Sequence, residues 1–333
     1  MDIKEVAKRA KVSTATVSRV INNLPSVRPS THAHVMRVIE KLNYVPNTSA
    51  RYLRAGHTKL FGLIVSDIKN PFFPDLIDHF EAMATKHGID VIFTHTHYDA
   101  KRLKHCLWRL VDRNVDGIAV MTSEVESHAL ERVKRSKVPL VLLNQAALDE
   151  KFNNIRIDYS KGFKQALQHL IGLGHRRIAF LSGPPKFSSA KRRLAAFLAG
   201  MKYCGLKVRD EWMFVGDLHV EGGNIAMQEL LHTSPRPTAV LCSNDLMAIG
   251  ALQACQAARL RVPKDISIIG FDDLPICTMV TPPLTTITLS RQEIAAYAFS
   301  VLWKASSPGL KTKLSRHIIS PRLTVRNSTG PPA

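Results

Sequence analysis

The 333-residue chain has no stretch approaching the roughly 18 uninterrupted apolar residues that a membrane-spanning helix needs. Its first residues, Met1-Asp2-Ile3-Lys4-Glu5, carry no basic run leading into an apolar core, so they do not read as a secretory signal. Cysteine is sparse: Cys106, Cys204, Cys242, Cys255 and Cys277 are odd in number and never fall in a Cys-x-x-Cys pair. They read as reduced thiols of a cytoplasmic protein. Neither a Gly-Lys-Ser/Thr loop nor Gly-x-Gly-x-x-Gly is present, so nucleotide-dependent catalysis has no phosphate cradle, and Gly-x-Ser-x-Gly is missing too. Acidic residues are also short, at 27 Asp and Glu against 46 Lys and Arg, a net charge of +19. The first 60 residues hold 11 basic and 3 acidic side chains, a net +8, leaving +11 for the other 273. Positive charge is therefore densest at the N-terminus, as a polyanion-binding module requires.

What is present there is a run of short helices. Ile3, Val6, Ala7 and Ala10 keep helical spacing, which predicts a helix over Ile3–Ala10 with Lys4, Lys8 and Arg9 outward. Lys11-Val12 makes a tight turn, and Ser13 is a good N-cap for a second helix reaching Asn22, with Val17, Val20 and Ile21 inward. A third helix, Pro29 to Leu42, closes the small core with Val35, Val38, Ile39 and Leu42. Two short helices joined by a tight turn make a helix-turn-helix. The outer face of the second helix (Thr14, Ala15, Thr16, Ser18, Arg19 and Asn22) is small and hydroxyl-rich. Such a face lets a backbone approach a groove, its hydroxyls reach phosphates, and Arg19 forks onto guanine O6 and N7.

The segments VSTATVSRVIN and YVPNTSARYLRAGHT, with the pattern that follows them to the C-terminus, resemble the lactose/galactose repressor family of bacterial transcription factors. The resemblance implies Thr14, Ala15 and Arg19 at base-reading positions, and Ser13, Thr16, Ser18 and Asn22 on the DNA backbone. Two departures stand out. Lys11 replaces the usual turn Gly, at a cost of about 1 kcal/mol if its φ is positive. His32 and His34 stand where relatives often place Arg or Lys, which weakens phosphate contacts at neutral pH.

Pro46 stops the third helix, and Asn47 is placed to cap a short segment from Thr48 to Arg54. Two isolated helical turns are marginal in water, so this segment suits folding on contact with DNA. The resemblance implies a hinge helix in the minor groove, with Asn47 and Arg51 as DNA contacts and Leu53 as a wedge that kinks a central base step.

From Leu60, apolar strand candidates (FGLIV, DVIFT, DGIAVM, PLVLLN, RIAFLS, TAVLCS and SIIGF) alternate with helical stretches such as Asp75–His87 and Asp158–Leu173. That alternation predicts parallel sheets covered on both faces, and the pattern restarts near Asp158, giving two Rossmann-like lobes. With the resemblance, the expected architecture is α/β: an all-α helix-turn-helix domain over 1–46, a hinge over 47–57, and, as the family implies, a periplasmic-binding-protein-like body over 58–333. Its N-lobe spans about 58–158 and 290–318, its C-lobe about 159–289 and 319–330.

Ligands of open α/β sheets sit at the carboxyl ends of strands. The residues just past those ends are Phe72 and Phe73 as stacking rings, Asn144, Asp158, Phe187, Leu218 where relatives often carry an aromatic, Asn244, and Asp272, and the resemblance implies Ser189 and Arg193 as polar contacts to an effector. Planar Arg with Asp and Asn is what vicinal hydroxyls require, and a ring takes a sugar's apolar face. Phe187 falls where a purine-sensing branch carries Arg, which argues against purines.

Three weaker signals are set aside. Ser188-x-x-Lys191 has no following Lys-Thr-Gly, His95-Thr-His97 has no third ligand at a metal-binding spacing, and Asp272-Asp273 suits hydroxyl binding better than acid–base catalysis. The expectation is a homodimeric, non-enzymatic regulator without metal or cofactor. It would bind a palindromic double-stranded operator and answer to a small carbohydrate. A nucleobase or other metabolite acting as corepressor is the alternative within that reading, with a transport-type sugar-binding protein or an enzyme further off.

Overall fold

The computed structural model describes residues 2–21, 24–44, 57–122, 124–125, 127–144, 151–307 and 313–333. The chain divides into two compact units, Met1–Thr58 and Lys59–Ala333. The first holds α1 (Ile3–Arg9), α2 (Thr14–Ile21) and α3 (Pro29–Lys41). Ser13 caps α2 by accepting the Thr16 N–H at 3.1 Å, and Pro29, which has no N–H to leave unpaired, opens α3. Val6, Ala7, Ala10, Val17, Val20, Val35, Ile39 and Tyr44 form one buried cluster, with Val38, Leu42 and Ile21 packed at its edge. Lys11 sits at φ 51° in the turn, so the left-handed conformation usually given to Gly is present here with a side chain attached. His34 does not simply face outward: its Nε2 lies 3.2 Å from the Ala10 carbonyl, tying α3 to that turn.

The second unit is built on two six-stranded sheets. The first carries β1 (Leu60–Val65), β2 (Asp90–His95), β3 (Gly117–Met121), β4 (Leu140–Leu143) and β5 (Asn153–Ile157), with α4 (Phe72–Lys86), α5 (Ala100–Asp112) and α6 (Glu131–Ser136) between them. After α7 (Tyr159–Gly172) the second sheet begins. It has β6 (Ile178–Ser182), α8 (Ser188–Tyr203), β7 (Met213–Val215), α9 (Val220–Leu231), β8 (Ala239–Cys242), α10 (Asp245–Ala257), β9 (Ser267–Asp272) and β10 (Thr285–Thr288). The chain then returns through α11 (Arg291–Ser306) and β11 (Arg316–Ile319) to the first sheet, and ends on the second with β12 (Arg322–Thr324). The strand orders are β11-β5-β4-β3-β1-β2 and β12-β10-β9-β8-β6-β7. The chain thus passes between the lobes three times.

β3 and β9 are buried along their whole length, which fits their continuous apolar sequence and the helices on both faces. The seven strands expected from the sequence are all present. Five more are short or polar (NNIRI, MFV, TTIT, RHII and RLT) and lack the apolar run that marks a buried strand. One corrects the all-parallel expectation: β12 runs antiparallel to β10, pairing Ile287 with Leu323. Gly223 and Gly250 let α9 and α10 touch backbone to backbone, since a Cβ at Gly250 would strike the Val220 carbonyl. Among the described residues no helix is long and apolar enough to cross a membrane.

Candidate DNA-reading helix and inter-lobe cavity

α2 turns Val17 and Val20 inward, which leaves Ser13, Thr14, Ala15 and Arg19 exposed on the other side. Thr16 and Ser18 are half-buried beside them, and the Thr16 hydroxyl meets that of Ser13 at 2.9 Å. No acidic residue occupies the first turn of α2. The helix N-terminus with its unopposed partial positive charge therefore stays open to a phosphate. Lys4, Lys8 and Lys11 are exposed in the same unit, while Arg9 is paired with Glu5 at 3.0 Å. Asn22, Asn47, Arg51 and Leu53 lie outside the described residues.

In the second unit, loops at the carboxyl ends of the strands of both lobes enclose about 540 Å³ of unfilled space, part of it open to solvent. Phe72, Phe73 and Asn144 line it from the first lobe, and Ser189, Arg193, Leu218, Asn244 and Asp272 from the second. Asp158 does not line it. Its carboxylate accepts the Lys161 N–H at 3.1 Å and caps α7 instead. Phe187 is likewise absent from the wall, and its ring stacks on Tyr98, 4.5 Å between centroids and 23° between planes.

Arg193 is the centre of the arrangement. Only 9% exposed, it donates from one terminal nitrogen to the Ser243 carbonyl at 2.6 Å and from the other to Asp272 Oδ1 at 3.0 Å. Its guanidinium lies 4.3 Å from the centre of the Phe271 ring. Burial works against its charge, but Asp272, Tyr159 and Tyr98 outweigh that, and it stays ionised. Its Nε–H is buried and finds no acceptor among the described residues. A donor in that state is costly unless something else accepts from it.

Asp272 is held at φ 117° at the end of β9, and its backbone carbonyl accepts from Arg291 at 2.7 Å. Burial pushes its carboxyl up to about 7 against the pull of Arg193, with buried Asp245 adding to the rise. The neighbouring Asp273 points elsewhere, to Arg326 at 2.6 Å and Thr288 at 2.9 Å, so the two adjacent carboxylates do not form a working pair.

Both asparagines are largely spent on structure. Asn144, at φ 62°, donates to the Tyr159 hydroxyl at 3.0 Å and accepts from Ile157 N–H at 3.1 Å. Asn244 accepts from Met247 N–H at 3.0 Å, capping α10, and donates to the Leu218 carbonyl at 2.8 Å, fixing that residue at φ 71°. Leu218 is buried and leaves an aliphatic wall.

Sequence reasoning passed over Ser66, Asn70, Tyr98 and Tyr159, all in the lining. Three of them were within reach of the strand-end rule, since Ser66 and Tyr98 follow β1 and β2, and Asn70 sits in the loop before Phe72. Tyr159 follows β5, whose polar sequence hid the strand. The rings of His95 and His97 pack edge to face at 4.2 Å, and no group of three or more His, Cys, Asp or Glu suited to a metal comes together among the described residues.

Two family descriptions match the chain. "Bacterial regulatory proteins, lacI family" covers residues 2–47, and "Periplasmic binding protein-like domain" covers residues 167–329. The chain is 37% identical over 302 residues to the HTH-type transcriptional repressor PurR of Proteus mirabilis, covering 90% of this chain and 89% of that one. It is 36% identical over 301 residues to the ribose operon repressor of Escherichia coli K12, covering 90% and 91%. Its fold superposes on the lac repressor dimer bound to operator and the anti-inducer ONPF with a TM-score of 0.87, at 27% identity and 99% coverage of both chains.

Proposed function

The chain belongs to the lacI family of bacterial regulatory proteins and is a DNA-binding transcriptional repressor of that family, and we propose that a small carbohydrate held between its lobes controls its grip on the operator. The observation that carries the carbohydrate reading is the Arg193–Asp272 pair. It sets a buried guanidinium and a carboxylate in the wall of a space that Phe72 and Tyr98 also line. Fixed planar donors and acceptors beside a ring suit vicinal hydroxyls on one side of a molecule and C–H groups on the other. The relative named for a ribose operon supports the same class.

On this reading Thr14, Ala15 and Arg19 meet base edges, and Ser13, Thr16, Ser18 and Asn22 meet phosphates. Two copies related by a two-fold axis read a palindromic operator with half-sites about one helical turn apart. Sugar binding changes the angle between the lobes, and the segment carrying Asn47, Arg51 and Leu53 passes that change to the DNA.

A second reading draws on the aromatic walls, which suit a flat base as well as a sugar, and on the 37% identity to PurR. Calorimetry of the full chain against a panel of monosaccharides and purines separates the two. Heat with a monosaccharide and none with purines is expected, and binding of purines alone overturns the carbohydrate reading.

A further inference from the structure

Three of the contacts that join the lobes pair residues far apart in the chain. Tyr98 stacks on Phe187. Glu124 accepts the Ser188 N–H, with its two oxygens at 3.1 and 3.2 Å. His219, just before α9, meets Asp67, just after β1, with Nε2 3.0 Å from Oδ2.

The third contact has an asymmetry in its donors. His219 Nδ1 lies 3.1 Å from the Asp217 backbone carbonyl, which only accepts. Its Nε2 faces the Asp67 carboxylate, which as an anion also only accepts. A neutral imidazole has one N–H and satisfies one of these oxygens, whereas an imidazolium has two and satisfies both. The closed arrangement is therefore complementary to the protonated ring. Asp67 is almost wholly buried, and its other oxygen accepts the Lys69 N–H at 2.9 Å. When His219 swings away, that carboxylate loses its partner from the opposite lobe.

We propose that His219 and Asp67 form a proton-operated latch, in which a proton taken up by His219 draws the two lobes together. The latch sits where it bears on the cavity, because Leu218, its neighbour in sequence, lines the wall and is pinned by Asn244. It rests on the proposed function only in making closure the regulatory signal.

The charged and titratable groups around it are few. Asp217, 3.9 Å from Nδ1, adds a second negative charge on the His219 side. On the Asp67 side, His95 and Tyr98 both feel the Asp67 charge. Burial lowers His95, with His97 and Arg102 adding to the effect and Asp67 opposing it. Burial keeps the Tyr98 phenol protonated. Because only the imidazolium satisfies both acceptors, closure is strongest where the ring carries two N–H donors, and it weakens as pH rises.

The test uses the full chain with neither sugar nor DNA, and reads hydrogen exchange of the Ser188 amide, which is bonded across the cleft to Glu124. After correction for intrinsic rates, protection in the unaltered protein is expected to be about tenfold greater at pH 6 than at pH 8, within the limit of one linked proton. His219→Gln keeps a donor for Asp67 but cannot gain a proton, so its protection should be flat with pH. Asp67→Asn should be flat as well. His219 is half-exposed, so its variant is expected to fold, and any response from Asp272 is common to both proteins and cancels. An equal pH response in the unaltered protein and in His219→Gln overturns the latch. Because no effector enters, that outcome is independent of whether the cavity takes a sugar.

Discussion

At the scale of single residues, the cavity turns on one charge pair with unequal demands on its members. Arg193 has two of its three guanidinium nitrogens committed, and Asp272 ionises only reluctantly because burial raises its carboxyl to about 7. Asp272→Asn keeps the shape and removes the charge. It should weaken sugar binding by about tenfold or more, the worth of a hydrogen bond to a charged group, while operator affinity in the absence of sugar is unchanged. Titration calorimetry paired with a gel shift checks this, and unchanged sugar affinity removes Asp272 from the site. The same residue makes a prediction about stability. A carboxyl raised in the folded state contributes stability that is present at low pH and lost as pH rises through about 7. The melting temperature of the unaltered protein should therefore fall relative to Asp272→Asn between pH 5 and pH 8, and a pH-independent gap counts against a raised carboxyl. Asp272 ends a strand whose apolar run is unmistakable in the sequence, whereas Arg193 lies inside α8 and was expected from the family resemblance alone. Asp158 stands apart from the cavity lining, since a carboxylate after a strand and one at a helix N-cap look alike in one dimension, and here it caps the helix.

At the scale of elements, the reading helix depends on a cap and tolerates a strained turn. Ser13→Ala removes the acceptor for the Thr16 N–H and should cost the first unit about 1 kcal/mol. Lys11→Gly should move stability the other way by up to about 1 kcal/mol, because Lys11 holds φ 51°. Thermal unfolding of the two variants gives both signs, and a stabilising Ser13→Ala or a destabilising Lys11→Gly contradicts this account of the turn. The three helices were legible because their apolar spacing closes a core on its own, as Val6, Val17, Val20 and Val35 show. The edge strands were not. RLT and TTIT pair through their backbones and carry no apolar run, so the antiparallel β10–β12 pair is specified by the meeting of distant segments rather than by either one.

At the scale of the whole molecule, charge and connectivity set the function. A net +19, densest over the first 60 residues, should make operator binding steeply salt-dependent, since each phosphate neutralised releases counterions. Arg19→Ala should erase discrimination between operator and random DNA while leaving sugar binding intact, and equal discrimination by the variant in competition gel shifts removes Arg19 from base reading. In the body, three passages of the chain between lobes make their relative angle a property of the whole unit. On the proposed function, a ligand touching both lobes, with Phe72 on one side and Arg193 on the other, would act on that angle. The central claim is that this angle and the hold on DNA are linked. The most direct measurement is the operator affinity of the purified full chain at fixed salt, with and without a saturating monosaccharide shown by calorimetry to bind. The account predicts a fall of about 5- to 150-fold, matched by an equal fall in sugar affinity when operator is bound. Operator affinity that is identical in both conditions contradicts it.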